Sequence, residues 1–398
     1  LAFLLVDAAN GFFLHKGVTT GAAEIFKLLL FLLLFLRVIE LGKVEALCIF
    51  AAIVFAFVHS MMGFFVTSNL SYLKEEMVFA SKVIFIPLSY VYFKKLVERE
   101  GDNFIGKVKT IIKTNFVVLI INLLLGVLGF GYAQYGGTIG SVGFFFSGNE
   151  VSGVQLILSG FILFFSIKKK KTYLLVSFLV LILAMVKATK VAILGTVILI
   201  LYLYFLHSRK KSNNIFIFKY GLILLVVSPM LFFLVKVGIE QSGLINRLIH
   251  FYSNKDLLTF IMSGRNIYAK IGLDLYMNTF SFLEMMFGIG MGRLSEIFSV
   301  PFYGLRNTVE IDFFDFLLYY GLIGVLINFG FWAYLTIKSY VGYRKHADYG
   351  AVVFATNLLL VFASFTGGHI MYSGMLGVFI GLSNSLISYK QDGEKKID

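Results

Sequence analysis

The sequence predicts an all-α polytopic membrane protein of about twelve transmembrane helices with one long extracytoplasmic loop. Three observations predict it. Hydrophobic residues make up 59% of the 398 residues and charged residues 14%, with a mean hydropathy of +0.87. An ordinary globular chain is roughly 45–50% apolar, and a soluble protein this apolar could not cover its own surface with polar groups. Apolar stretches near the roughly 17–25 residues needed to cross a bilayer recur along the chain. When those stretches are counted off in order, the turns rich in Lys and Arg all fall on one side, as the bias of cytoplasmic loops requires. Soluble enzymes, nucleic-acid readers and disulfide-built secreted domains are excluded. The single cysteine, Cys48, rules out a disulfide within the chain. The net charge of +13 then reads as topology signal and contact with anionic lipid.

The candidate spans are 1–14, 24–41, 44–66, 78–96, 111–131, 151–167, 172–187, 189–207, 217–238, 312–337, 350–366 and 369–388. The first apolar stretch is not followed by a small-residue cleavage site, so no removable leader is expected. With the N-terminus in the cytoplasm, the cytoplasmic turns hold most of the 35 Lys and Arg: Arg37 and Lys43; Lys94 to Lys113; Lys168 to Lys171; Arg209 to Lys219; Lys338 to Lys345; and Lys390 to Lys396. The stretch 172–207 reads either as one span or as two. One span would put the basic turns at 168–171 and 209–211 on opposite faces, so two helices are expected. Both termini then lie in the cytoplasm.

The chain divides into residues 1–238 with about nine spans, a loop at 239–311 outside the cytoplasm, and residues 312–398 with three spans and a short basic tail. Loops longer than about 12–15 residues are uncommon unless they act. Within this one, Ser263 is placed to cap a helix in which Ile267, Ile271 and Leu275 recur at four-residue spacing. Such a helix is expected to lie on the membrane with that apolar face down. A second outer segment, 131–150, is rich in Gly. The two halves of the chain do not mirror each other as the halves of many transporters do.

The same loop carries the candidate chemistry. Arg265, Arg293 and Arg306 are three guanidiniums, and the planar fork matches phosphate oxygens two at a time. Glycines around Arg293 let backbone N–H groups approach the same anion. The plain alternative is solvated or lipid-facing arginine. Glu310, Asp312 and Asp315 straddle the start of a span, and Asp312, Asp315 and Tyr319 share one helix face. Acids there either line a polar cavity or only cap the helix. Glu310 and Asp312 also look like a metal-binding acid pair, but the loop clusters no further acids and no metal is expected. Lys187 and Lys190 interrupt an apolar stretch at an outer turn and there require an anionic partner or a plain hairpin role. Asn149 and Glu150 open the sixth span, as ligands or as a cap. His369 follows two glycines on the side of the arginine loop, as base, ligand or structural residue.

Several segments, taken in order, resemble the O-antigen polymerase/ligase (Wzy-type) family in its Gram-positive capsule and exopolysaccharide branch: GFFFSGNEVSG (143–153), ATKVAILG (188–195), SGRN (263–266), FGIGMG (287–292), EIDFFDFLLYYGLIG (310–324) and GGHI (367–370), with LVDAANGFF (5–13) also similar. The resemblance implies a GT-C-like glycosyltransferase with its active site at the outer face of the cell membrane. It implies as substrate an oligosaccharide carried on undecaprenyl diphosphate, with no cofactor and no nucleic acid, and a chain-length regulator and flippase as partners. Carried over by position, Arg265 matches the arginine that binds diphosphate. Lys190 stands where relatives often have Arg, which replaces a fork by a point charge. Asp312 and Asp315 stand where many relatives have a His-Asn pair, which leaves an acid, Glu150 or His369 as the expected base. Tyr319, Asn149, Glu310, Arg293 and Arg306 complete the expected substrate contacts. The rival readings are a ligase that moves the glycan to another acceptor, a flippase or transporter of the lipid-linked oligosaccharide, and a structural subunit of a capsule assembly complex.

Overall fold

The computed structural model describes residues 3–135, 140–145, 148–209, 259, 262–299, 308–345, 347 and 349–389. It is an all-α membrane protein. Among the described residues six helices are long and apolar enough to cross a membrane: Val44–Phe65, Leu70–Glu100, Asp102–Val127, Gly148–Ser166, Lys190–His207 and Asp312–Arg344. The expected span 217–238, the N-terminal part of the long loop, Arg306 and the basic tail lie outside the described residues.

The chain forms two compact units, each discontinuous in sequence: Leu1–Ala23 with Lys109–Phe260, and Glu24–Val108 with Ile261–Asp398. The first unit holds α1 (Phe3–His15), most of α5 (Asp102–Val127), a two-stranded antiparallel pair, and helices α6 (Gly148–Ser166), α7 (Lys170–Lys187) and α8 (Lys190–Arg209). The strands, β1 (Tyr132–Ala133) and β2 (Ser141–Gly143), pair Tyr132 with Gly143 and Ala133 with Ser141. They fall in the Gly-rich segment 131–150, where the sequence suggested no strand. Helices α6, α7 and α8 pack on one another, and most of α6 is buried. The expected break between α7 and α8 is present: Ala188 caps α7 in the left-handed region, φ 58°. Ser152 Oγ and Thr189 Oγ1, 2.9 Å apart, tie that turn to α6.

The second unit holds α2 (Ala22–Leu41, from Glu24 on), α3 (Lys43–Thr67), α4 (Leu70–Glu100), α9 (Arg265–Thr279), α10 (Phe282–Phe287), α11 (Met291–Ser299), α12 (Asp312–Arg344), α13 (Gly350–Thr366) and α14 (Gly377–Ser385), which ends in a 3-10 turn, Leu386–Ser388. Helix α4 starts eight residues before the expected span because Asn69 caps it, its side chain accepting from Ser71 N–H at 3.0 Å. Helix α14 lies against α4 through Gly377 and Gly381. A methyl at Gly381 would sit 2.5 Å from Ser89 Cβ, so this pair of small residues four apart lets two backbones meet. Helices α12 and α13 pack together. Asn357 and Asn384 exchange side-chain hydrogen bonds of 2.8 and 3.1 Å across α13 and α14.

Two expectations are corrected. The loop helix begins at Arg265 behind Gly264, φ 85°, and no side chain caps it; Ser263 sits one residue further out at φ 54°. Its protein-facing side is Ala269, Gly272 and Tyr276, whereas Ile267 is exposed and Ile271 and Leu275 are half-buried. The last span does not start at 369. Residues 367–376 form turns and α14 begins at Gly377.

Candidate functional site

The acids at the start of α12 organise the second unit. Asp312 and Asp315 are both fully buried. Asp312 Oδ2 accepts from the backbone N–H groups of Ile370 (3.1 Å) and Met371 (2.9 Å). Asp315 accepts from Val309 N–H at 3.0 Å and from the Tyr372 hydroxyl at 2.9 Å. An N–H that donates to a carboxylate is withdrawn from a helix ladder. That is why the chain after α13 stays in turns until Gly377. Asp312 Oδ1 and the Tyr319 hydroxyl are buried without a hydrogen-bond partner among the described residues. Asp312, Asp315 and Tyr319 share a face, as the spacing predicts.

Arg265 joins this cluster from α9. Its Nη2 and Nε donate to Glu310 Oε2 at 2.8 and 3.2 Å, and its Nη1 reaches the carbonyl of Thr366 at 3.5 Å. The two side chains are 16% and 29% exposed, so the pair is partly desolvated yet open at one edge. A guanidinium offers five N–H donors, and three are engaged here.

The surrounding backbone is strained. Five non-glycine residues among those described have positive φ, and three of them, Ser263 (54°), Glu310 (61°) and His369 (61°), flank or belong to this cluster. A residue held there costs about 1–3 kcal/mol and persists where neighbours over-determine it. Gly368, itself at φ 62°, lies so close to the Glu310 backbone that a side chain would not fit. This presses the Gly367–His369 turn against Glu310 and sets His369 half-buried beside Tyr372, ring centres 5.2 Å apart.

Helix α12 is broken at Gly321 (φ 64°, ψ −164°). The break frees the carbonyls of Leu318 and Tyr319. Ile289 N–H and Gly290 N–H, from the turn between α10 and α11, donate to them at 3.1 Å each. Irregular backbone at membrane depth is tolerated only where protein or a polar cavity satisfies it, and here the glycine-rich turn does so.

The structure therefore brings together Arg265, Glu310, Asp312, Asp315, Tyr319 and His369. It engages Arg293 elsewhere. The Arg293 guanidinium pairs with Glu284 of α10, whose carboxyl also accepts from Ser281 N–H at 2.8 Å in a capping box. The Ser281 N–H, and then Arg293, hold the Glu284 carboxyl below its ordinary range. Asn149, Glu150 and Lys190 belong to the first unit, at the starts of α6 and α8. Beside them Lys187 is fully buried, its Nζ bonded to Gln134 Oε1. Among the described residues no group of three or more His, Cys, Asp or Glu converges as a metal site. Sequence reasoning missed Thr366 and Tyr372. Both sit beside His369 in sequence, but nothing in their spacing points to partners about 60 and 100 residues away. No family model and no curated protein matches this sequence.

Proposed function

We propose that the protein is a glycosyltransferase, a polymerase that joins oligosaccharide repeat units carried on a polyprenyl diphosphate at the outer face of the cell membrane. The observation that carries this reading is the half-covered Arg265–Glu310 pair, set among strained residues at the start of a broken membrane helix. A diphosphate competes with Glu310 for the guanidinium fork, because both present paired anionic oxygens. The acceptor hydroxyl oxygen then bonds to the anomeric carbon of the donor glycan as the bond from that carbon to the diphosphate oxygen breaks. Arg265 stabilises the charge gathering on the leaving diphosphate. The hydroxyl proton passes to His369 or to Glu310 once Arg265 has turned from it. Asp312 and Asp315 are enclosed, and in this reading they position the 308–310 and 367–372 turns and take no proton.

The surface beside Arg265 supports a membrane seat. Ile267, Leu273 and Met277 of α9 and Phe282 and Leu283 of α10 are exposed, the last two at 73% and 67%. An amphipathic segment with such a face lies at the headgroup boundary, where a prenyl tail stays in lipid while its phosphates reach the loop.

The test is to feed purified lipid-linked repeat unit to protein in lipid. The wild type yields a ladder of products. Arg265→Lys keeps the charge without the fork, and is expected to insert at normal abundance and to lose activity by roughly a hundredfold or more. Full-length polymer from Arg265→Ala at normal abundance removes the reading. Transfer of a single unit to a different acceptor, with no ladder, assigns a ligase.

A further inference from the structure

His59 of α3 and Glu76 of α4 meet against the turn that fills the break in α12. The His59 ring is fixed from one side, its Nε2 lying 2.9 Å from the carbonyl oxygen of Phe287. A carbonyl only accepts, so Nε2 carries the hydrogen and Nδ1 presents a lone pair in the neutral ring. That Nδ1 lies 4.0 Å from Glu76 Oε2, with the two side chains 10% and 5% exposed. Neither atom has a hydrogen-bond partner among the described residues. The backbone N–H of Gly292 also faces the Glu76 carboxylate. The slot around it is walled by backbone: a methyl at Gly63 would sit 2.9 Å from Glu76 Oε1, and one at Gly290 would strike the same oxygen.

The pair thus lies against both ends of one turn, His59 bonded to Phe287 and Glu76 facing Gly292. Between those ends, Ile289 and Gly290 donate into the broken helix. The geometry also limits the charge the slot can hold. With no extra proton, a lone pair and a carboxylate oxygen face each other in an apolar surround, and both are unsatisfied acceptors. With two, the ring is cationic beside a neutral acid and its charge is uncompensated. One proton leaves either a neutral acid beside a neutral ring or a paired imidazolium and carboxylate, and both supply the missing donor. At 4.0 Å the atoms lie just beyond direct hydrogen-bond distance, and a side-chain shift of about 1 Å lets one proton join them.

We propose that His59 and Glu76 form a one-proton binding site that latches the Phe287–Gly292 turn into the break of α12. The proton comes from and returns to solvent, and no other bond changes. The ionisable groups facing the pair from its neighbours are Tyr320 of α12, whose ring centre is 4.8 Å from that of His59, and Tyr72 of α4, which lies against Gly292. Arg293 of α11 is tied to Glu284 of α10. The latch stands independently of any glycan chemistry, since its evidence is confined to this turn.

The experiment is infrared difference spectroscopy of the full chain in lipid nanodiscs, titrated from about pH 4 to 9 so as to span the carboxyl and imidazole ranges, with hydrogen exchange followed at Ile289 and Gly290. The wild type is expected to show a titrating signal, in carboxyl or imidazole bands, that Glu76→Gln abolishes and Asp312→Asn leaves in place. His59→Phe is expected to move its midpoint by about one pH unit or more, a tenfold change in proton affinity. Protection at Ile289 and Gly290 falls as the wild type loses the proton, whereas Glu76→Gln, with a permanent amide donor, stays protected throughout. A signal that survives Glu76→Gln overturns the site. Protection that does not follow the wild-type titration overturns the latch. Should His59→Phe fail to insert, His59→Gln, which keeps a donor toward Phe287, gives the same reading of the midpoint.

Discussion

In the first unit α6, α7 and α8 run as unbroken helices, and their buried polar contacts are neutral ones: a hydroxyl pair at Ser152 and Thr189, and a Tyr173 hydroxyl donating to the Ile200 carbonyl at 2.7 Å. The exception is Lys187, with a side-chain amide for company. In the second unit α12 is broken, the chain before α14 is not helical, and beside neutral pairs such as Asn357 with Asn384 the buried groups include carboxylates that bond to backbone N–H groups of distant turns. Buried hydroxyls satisfied within a helix bundle add little to specificity of position. Two carboxylates that collect N–H donors from two turns fix where those turns lie. The second unit has thus given up helical regularity around Arg265, and its acids replace what the ladder no longer supplies.

The sharpest way to break this comparison is to restore regularity. Gly321→Ala places a β-carbon at positive φ and against the Met286 carbonyl. Strain and overpacking together are expected to cost about 4 kcal/mol, read as loss of thermal stability in detergent. Gly195→Ala in the first unit meets only the Leu156 side chain, at 2.7 Å, and is expected to cost about 1 kcal/mol. Equal costs would mean that the break carries no special constraint.

Removing the charged groups sharpens the contrast. Asp315→Ala leaves Val309 N–H and the Tyr372 hydroxyl without their acceptor and is expected to cost about 3 kcal/mol. Lys187→Met removes a buried amine whose side-chain partner is the Gln134 amide, with no carboxylate among its described contacts, and is expected to change stability by less than about 1 kcal/mol in either direction. Denaturation of the two variants in the same detergent checks this, and the reverse order would assign the structural role to the lysine.

The smallest effect is in pH. Glu284 is held below its ordinary range in the fold. Its contribution is therefore complete above the unfolded carboxyl value of about 4.3 and is lost as pH falls through the lower folded value. Amide exchange at the start of α10 is expected to quicken on acidification below about pH 4, and Glu284→Gln to flatten that response. The α7–α8 turn of the first unit, closed by Ala188 N–H onto Ala184 O at 3.1 Å, has no carboxylate in that bond and should stay level.

Much of the helical plan was legible in the sequence because apolar length and cationic turns are local signals. The division of 172–207 followed from where Lys168 to Lys171 and Arg209 fall. That Asp312, Asp315 and Tyr319 share a face followed from helical spacing alone. Their partners did not, since Ile370, Met371 and Tyr372 enter only through tertiary packing, and the same bonds postponed the start of the last helix. Ser263 looked like a cap, but Gly264 takes that position because its φ of 85° suits a residue without a side chain. Glu76 stood just outside the apolar stretch 78–96 and was passed over. Asn69 carries α4 back past it, and the acid lies on the covered face of that helix. An imidazole well within 44–66 was the signal that could have pointed to His59.

The last helix is short. Gly377 to Ser388 rises only about 18–20 Å, against roughly 30 Å of bilayer hydrocarbon. The turns of 367–376 precede it, carrying His369 and giving two of their amides, those of Ile370 and Met371, to Asp312. A helix of that length alone leaves about a third of such a layer uncrossed, and an apolar layer beside it would thin or take in water.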